Sequence, residues 1–125
     1  MFSYDLRRGT LTVWLSGELD HRMAARVRQE IDDLMDDARV RRLVFDVSQL
    51  DFMDSSGIGL IIGRYKRVSR RGGSVAVARP GRRIDQLFRM SGVYQVVERL
   101  TTIRAKPSFS AMAGKSRRIS LTIPI

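Results

Sequence analysis

The feature that most constrains the fold is an alternation between short β-prone runs and longer segments with helical periodicity. Residues 2–6 and 10–16 flank Arg8-Gly9, a pair typical of a tight turn, and this arrangement predicts a hairpin. After Asp20, apolar residues recur at helical spacing over about five turns, with charged residues on the opposite face. Because strand–helix–strand connections favour parallel pairing, we expect an α/β domain. Its mixed β-sheet would start with the N-terminal hairpin and be covered by α-helices.

The later part of the chain continues the same alternation. Residues 42–47 form an apolar, β-rich run that suits a buried central strand. The elements expected after it are a loop over 48–57, a helix ended by Gly72-Gly73, a strand over 74–78, a helix ended by Ser91-Gly92, and a strand over 94–97. Gly17 is expected to close the second strand, and Asp20 to cap the first helix.

Length and charge divide the chain into one domain and a basic tail. The 125 residues suit a single core, which we place in residues 1–103. Residues 104–125 contain five basic residues and no acid, within a chain whose net charge is +10. Such a terminus is most often poorly ordered, and we expect this of the tail. Residues 119–125 alternate like a strand, so an edge strand or an assembly segment also stays open.

The composition excludes several classes of functional site and bears on where in the cell the protein acts. With no cysteine and with His21 as the only histidine, the chain has no disulfide, thiolate nucleophile, iron–sulfur cluster or multi-histidine metal site. We therefore expect no metal and no cofactor. No apolar run approaches the roughly 20 residues of a membrane span, and the start lacks the features of a signal peptide. These features predict a cytoplasmic protein without a membrane partner.

The segment Asp54-Ser55-Ser56-Gly57 concentrates hydroxyls and an acid at the start of a predicted helix. Helix N-termini expose unpaired N–H groups and the positive end of the helix dipole. An exposed serine there is a good phosphate acceptor, and phosphorylation adds about −1.5 to −2 charges at neutral pH. A partner docked on that spot would meet a hydrated dianion. The alternative is an ordinary capping cluster, for which Ser and Asp are the usual residues.

Five separated motifs resemble those of the anti-sigma factor antagonists, which are single STAS domains. In order they are Gly17-Glu-Leu-Asp-His21, Leu43-Val-Phe-Asp-Val47, Phe52-Met-Asp-Ser-Ser-Gly-Ile-Gly59, Gly63-Arg-Tyr-Lys66 and Leu87-Phe-Arg-Met-Ser-Gly92. The resemblance covers residues 3–100 and is greatest to the sporulation-type, sigma-F antagonists. The family usually ends in a helix rich in apolar and acidic residues, whereas this chain ends in a basic segment that contains Pro107.

The resemblance implies a switch protein that is not an enzyme. Members bind, when unphosphorylated, an anti-sigma factor that is also a serine kinase, and so release the sigma factor. The kinase uses ATP to phosphorylate the second serine of the motif, which here is Ser56. The phosphorylated protein lets go of the kinase, and a PP2C-type phosphatase restores it.

The same resemblance assigns roles to the neighbours of that serine. Ser55, Gly57 and Ile58 would lie in the surface that contacts the kinase. Asp20 would sit beside them and pair with an arginine of the kinase. Asp54 would hold the phosphorylation loop in place. The position of His21, at the start of the first helix, favours a partner contact or solvent exposure.

Two other kinds of site match the motif less well. Gly57, Gly59 and Gly63 have the spacing G-x-G-x-x-x-G, whereas a dinucleotide-binding turn needs G-x-G-x-x-G directly after a strand. Close helix–sheet packing explains these small residues better. Ser56 with His21 as a base would form a catalytic nucleophile, but a hydrolase elbow has the pattern G-x-S-x-G. We therefore predict no catalytic residue.

The acids of the first predicted helix form two i,i+4 pairs: Asp32, Asp33, Asp36 and Asp37. A calcium site needs ligands from a tight loop that wraps the ion, and a helix face does not provide one. A solvated face with the basic residues of 39–42 nearby is the favoured interpretation.

The second hypothesis concerns a different partner. Arginine clusters over 64–71, 79–83 and 115–118 could bind nucleic acid electrostatically. However, the sequence has no recognised nucleic-acid module and no array of aromatic residues for base stacking. A STAS protein of a general-stress signalling complex is a further alternative, since such a protein has the same Ser-Gly motif.

Overall fold

The strands and helices alternate along the chain in a computed structural model that describes residues 2–37, 39–103 and 117–121. The strands are β1 (Phe2–Arg7), β2 (Thr10–Leu19), β3 (Arg42–Met53), β4 (Ser74–Ala78), β5 (Glu98–Leu100) and β6 (Arg117–Leu121). The helices are α1 (His21–Asp37), α2 (Ser55–Ser69) and α3 (Arg82–Ser91), followed by a 3₁₀ turn at Val93–Gln95.

The described strands form one mixed sheet in the order β5-β4-β3-β2-β1-β6. The hairpin strands β1 and β2 are antiparallel, whereas β2, β3, β4 and β5 pair in parallel with their neighbours. Each parallel connection passes through a helix, as crossovers within one sheet require. The predicted α/β class with an N-terminal hairpin is confirmed.

The main core lies between the sheet and its three helices. Alternate strand residues such as Leu11, Val13 and Phe45 face Ile31 of α1 and Ile61 of α2, and all five are fully buried. A smaller apolar cluster lies apart from this core. In the described part of the chain, no helix has both the length and the apolar character to cross a membrane.

Two predicted strand ends were wrong, and both corrections lengthen the strands toward the same edge. Gly17 does not close β2, because at a φ of 82° it takes part in an irregular stretch from which the strand runs on to Leu19. The predicted loop after residue 47 is strand as far as Met53. Ser48 does not break β3, since its N–H and hydroxyl both donate to Asp46 Oδ1. The register shifts against β2 accommodate the extra residues.

The C-terminal elements also differ from the prediction. Residues 94–97 were expected to form a strand, but Val93–Gln95 is a 3₁₀ turn and β5 follows it. In the predicted tail, Arg117–Leu121 forms β6, which pairs antiparallel with β1 at the sheet edge. This is one of the arrangements that the sequence left open. Residues 104–116 and 122–125 lie outside the described residues, so the expected poor order of the tail stays a prediction.

A network centred on Asp85 joins α3 to the strand edge. The carboxylate of Asp85 accepts hydrogen bonds from the Tyr94 hydroxyl and from Arg89 and Arg99. These bonds, with that from Tyr94 the strongest contributor, lower the pKa of Asp85 from 3.8 to about 2. The folded state therefore prefers the charged carboxylate. Its contribution to stability is complete above pH 4 and is lost as the pH falls toward 2.

We expect Asp85→Asn to lower the free energy of unfolding by about 1 kcal/mol at pH 7, because the partners are partly exposed. The substitution should also flatten the loss of stability between pH 4 and pH 2. Urea unfolding at a series of pH values measures both effects, with Asp51→Asn as the control, since Asp51 is an exposed carboxylate. An Asp85→Asn protein with the acid dependence of the wild type would contradict the assignment.

Candidate functional site

The starts of α1 and α2 lie side by side because of how β2 and β3 pair. The two strands run in parallel, and their last residues, Leu19 and Met53, are partners in the sheet. Each strand leads within two residues into a helix, so both helix N-termini emerge at one edge. The Asp54 N–H contacts the carbonyl of Leu19 at 3.4 Å and ties the two turns together.

An aspartate caps each of these helices. Asp20 Oδ1 accepts from the N–H of Met23 at 2.9 Å, which confirms the predicted cap. Asp54 Oδ1 accepts from the N–H of Ser56 at 2.8 Å. Because the acid caps α2, the hydroxyl groups of Ser55 and Ser56 are not consumed by capping.

The serine pair sits at the boundary between the two helices. Ser55 is exposed, and Ser56 is half-buried with its Oγ 3.4 Å from Nδ1 of the exposed His21. The structure therefore brings together Asp20, His21, Asp54, Ser55 and Ser56 as the sequence predicted, in an arrangement that leaves Ser56 reachable from outside.

The other two predicted contact residues differ in exposure. Ile58 is half-buried, and Gly57 is buried under the ends of both strands. A Cβ on Gly57 would overlap the side chain of Met53 and meet Leu19 at 3.0 Å. Glycine is needed here so that α2 can lie against the sheet, and a direct contact between Gly57 and a partner stays a prediction.

A groove between α1 and α2 leads away from Ser56 and was not predicted. Its volume is about 360 Å³, and small residues line it, among them Ala24, Ala25, Gly59 and Gly63. The sequence interpretation assigned the glycines to close packing, which fits Gly57 but not the other two. A Cβ at Gly59 or Gly63 would have no neighbour within 4 Å. Their i,i+4 spacing was the signal for an open helix face.

Sequence reasoning also missed Phe52, which lies next to the site with 47% of its surface exposed. Phe52 pairs with Glu18 at the second register shift between β2 and β3. Leu50 and Met53 on either side are buried. A shift in register cannot be predicted from alternation alone, so the outward turn of Phe52 had no sequence signal.

Comparison with known proteins identifies the family. The STAS domain family matches residues 2–108 of the chain. A relative from Paenibacillus polymyxa, named anti-sigma F factor antagonist, is 40% identical over 90 residues, which cover 72% of this chain and 77% of the relative. The chain belongs to the STAS domain family of anti-sigma factor antagonists. The resemblance carried by the five sequence motifs is confirmed.

Two solved structures share the fold of this STAS domain. The anti-sigma factor antagonist SpoIIAA in its unphosphorylated form matches with a TM-score of 0.74 and 28% identity, over 81% of this chain and 89% of that one. SpoIIAA of Bacillus in the phosphorylated form matches with a TM-score of 0.67 and 28% identity, over 81% and 92% of the two chains. The fold is therefore similar to both states of that protein.

Substitution of Gly57 and of Gly59 by alanine should change the stability of the protein in opposite directions. Gly57→Ala should lower the free energy of unfolding by about 1–3 kcal/mol, because the new methyl group overpacks the contact with Met53. Gly59→Ala is the matched control and should raise it by about 0.5–1 kcal/mol, since alanine is the better helix former. Urea denaturation of the three proteins gives both values, and equal effects at the two positions would argue against the buried role of Gly57.

Proposed function

We propose that this protein is an anti-sigma factor antagonist whose binding is switched off by phosphorylation of Ser56. In the unphosphorylated state it binds an anti-sigma factor that is also a serine kinase, and the sigma factor is set free. The observation that carries the proposal is the place of the Ser56 hydroxyl. It stands half-exposed at the start of α2, beside His21, in a helix turn already capped by Asp54.

The docking surface we propose consists of Asp20, His21, Phe52, Ser55 and Ile58, around Ser56. Phe52 supplies an exposed apolar ring, and apolar aromatic contacts are enriched in protein interfaces. Asp20 uses Oδ1 to cap α1, so its second oxygen is left for an arginine of the kinase. In this surface the apolar contact of Phe52 would contribute affinity for the partner, and the charge of Asp20 would orient the partner.

The modification would transfer the terminal phosphoryl group of ATP to Ser56 Oγ. The hydroxyl proton is released, a P–O bond forms to Oγ, and ADP leaves with the electrons of the bond that breaks. The new group carries about −1.5 to −2 charges and holds water tightly. It would stand in the middle of the docking surface, where a partner that fits the unmodified hydroxyl would have to remove this water and would leave the new charge without a pairing group.

The remaining parts of the proposal follow from the same switch. We infer a regulatory protein rather than an enzyme, since its chemistry is supplied by the kinase and reversed by a PP2C-type phosphatase. A factor that controls transcription acts in the cytoplasm, and we assign this protein there. The identity of 40% to a relative named anti-sigma F factor antagonist supports an anti-sigma F factor as the partner.

Two substitutions of Ser56 separate the effect of a negative charge on binding from the effect of losing the hydroxyl group. Ser56→Asp should weaken binding to a purified anti-sigma F factor by about 100-fold or more, because an unpaired charge in a contact costs several kcal/mol. Ser56→Ala should bind like the wild type. Calorimetric titration measures both, with Ser69→Asp as the control, since Ser69 is exposed at the far end of α2. Equal affinity of wild type and Ser56→Asp would refute the proposal.

The acceptor itself is tested by a kinase assay with mass mapping. Incubation with the anti-sigma factor and ATP should add one phosphate to the wild type, on the peptide that contains Ser56. The Ser56→Ala protein should bind the kinase but stay unmodified. Phosphate found only at another residue, including the adjacent Ser55, would overturn the assignment.

A further inference from the structure

Three connections of the fold lie side by side at one end of the sheet, opposite to the edge from which α1 and α2 emerge. Strands β2, β3 and β4 start there at the same level, because Thr10 pairs with Arg42 and Arg42 pairs with Ser74. The segments that lead into these strands are residues 8–9, 39–41 and 70–73. The ten residues of β2 place this end about 30 Å from the docking surface around Ser56.

These three segments concentrate positive charge. Of their nine residues five are arginines and none is an acid, and all five arginines are exposed. We call the five together the arginine surface: Arg8, Arg39, Arg41, Arg70 and Arg71. In the part of the chain that the structure describes, none of them forms an ion pair. Their charges are therefore available to a partner.

The acids near this end already have partners. Asp36 pairs with Arg67 at 2.7 Å, and Glu98 pairs with Arg42 at 2.8 Å. These two arginines do not belong to the arginine surface, so the acids are engaged outside it. An anion from another molecule would supply the counter-charge that the arginine surface lacks.

The backbone holds the arginine surface together. The N–H of Arg41 donates to the carbonyl of Gly9 at 2.8 Å, and the carbonyl of Arg41 accepts from the N–H of Ser74 at 2.8 Å. Gly73 approaches the same carbonyl so closely that a Cβ would overlap it. The like charges thus stay close to one another although they repel, because main-chain hydrogen bonds join the connections that carry them.

Arg8 occupies a backbone position that arginine disfavours. Arg8 and Gly9 form the two-residue turn between β1 and β2, and both have a positive φ, of 51° and 80°. This is the pattern of a type I′ turn, in which asparagine, aspartate or glycine is favoured at the first position. The requirements of the turn therefore do not explain why this position holds an arginine.

We propose that the arginine surface binds double-stranded DNA through its phosphate backbone, without reading the base sequence. The guanidinium group matches phosphate oxygens with two parallel charge-assisted hydrogen bonds. The connections before β2 and β4 are two strand spacings apart, about 10 Å, which corresponds to about three successive phosphates of one DNA strand. Because this surface lies at the end of the sheet opposite to Ser56, the protein would bind DNA and a kinase at the same time.

The chemistry of the arginine surface favours DNA over a membrane or an acidic protein. Among the described residues, the exposed large apolar side chains are Phe52, Met90 and Val96, and none of these belongs to it. Helices that bind membrane surfaces add buried apolar side chains to their basic charge. Protein interfaces have a more apolar centre, enriched in aromatic residues. Interfaces with DNA are more polar and much more positively charged, as this surface is.

The test is the fluorescence anisotropy of a labelled duplex of about 20 base pairs and arbitrary sequence, titrated with the full chain at about 50 to 200 mM salt. The logarithm of the binding constant should fall with the logarithm of the salt concentration, with a slope of about −3 to −4. The Arg8→Asn/Arg41→Gln protein should bind about 10-fold more weakly or less, and its slope should be shallower by about 2. Asparagine suits the turn at position 8, and Arg41 contacts Gly9 and Ser74 only through its backbone, so the fold should be kept.

The matched control is Arg82→Gln/Arg83→Gln, which removes the same two charges. Both arginines are exposed at the start of α3, after the end of β4 and away from the arginine surface, so this protein should bind DNA like the wild type. All variants keep the basic residues of 104–125, whose contribution to binding is therefore the same throughout.

Two results of the titration would overturn the proposal: no binding by the wild type at the lowest salt, or equal weakening by the two pairs of substitutions. Displacement of the duplex by vesicles of phosphatidylcholine and phosphatidylserine, or by polyglutamate, at the same concentration of charge would also overturn it. The surface would then belong to lipid or to an acidic protein. None of these outcomes bears on the phosphorylation of Ser56, which the kinase assay tests separately.

Discussion

The parallel pairing of β2 with β3 is the constraint on which the rest of this structure depends. Because Leu19 and Met53 are paired and buried, both strands end at the same level, and the helices that follow must start at one edge. Gly57 then allows α2 to lie close against both strand ends. The position of Ser56 is therefore set by the core and not by a flexible loop.

The contact between α1 and α2 combines apolar packing with an ion-pair network. Asp32 and Asp36 were expected on a solvated face near the basic residues of 39–42, but they pair with Arg64 and Arg67 of α2. The pair between Arg67 and Asp36 is partly exposed and adds little stability, up to about 1 kcal/mol, whereas Arg64 is buried. The larger effect of these pairs is positional, since they fix which residues of the two helices face the groove.

Periodicity in the sequence predicted most of the fold and the main motif of the site. Ser74–Ala78 matches the predicted strand, and the Asp54–Gly57 motif lies at a helix start as expected. The second half of β3 was missed because its polar residues resemble a loop, although pairing with β2 keeps it extended. The groove and the burial of Arg64 could not be predicted, since they depend on which face of α1 meets α2. The local sequence of α1 does not specify which of its faces packs against α2.

The contacts that hold the start of α2 fit the proposed control of binding by a phosphate, which needs no refolding of the domain. The N–H of Ser56 is held by Asp54, and the adjacent Gly57 is locked between Met53 and Leu19. We therefore expect a charge added at Ser56 Oγ to act at the surface that a partner would contact, without displacing α2. The fold is similar to SpoIIAA in both its phosphorylated and unphosphorylated forms, as expected of a domain that responds this way. In the proposed switch, control comes from the balance of charge at the surface that a partner contacts.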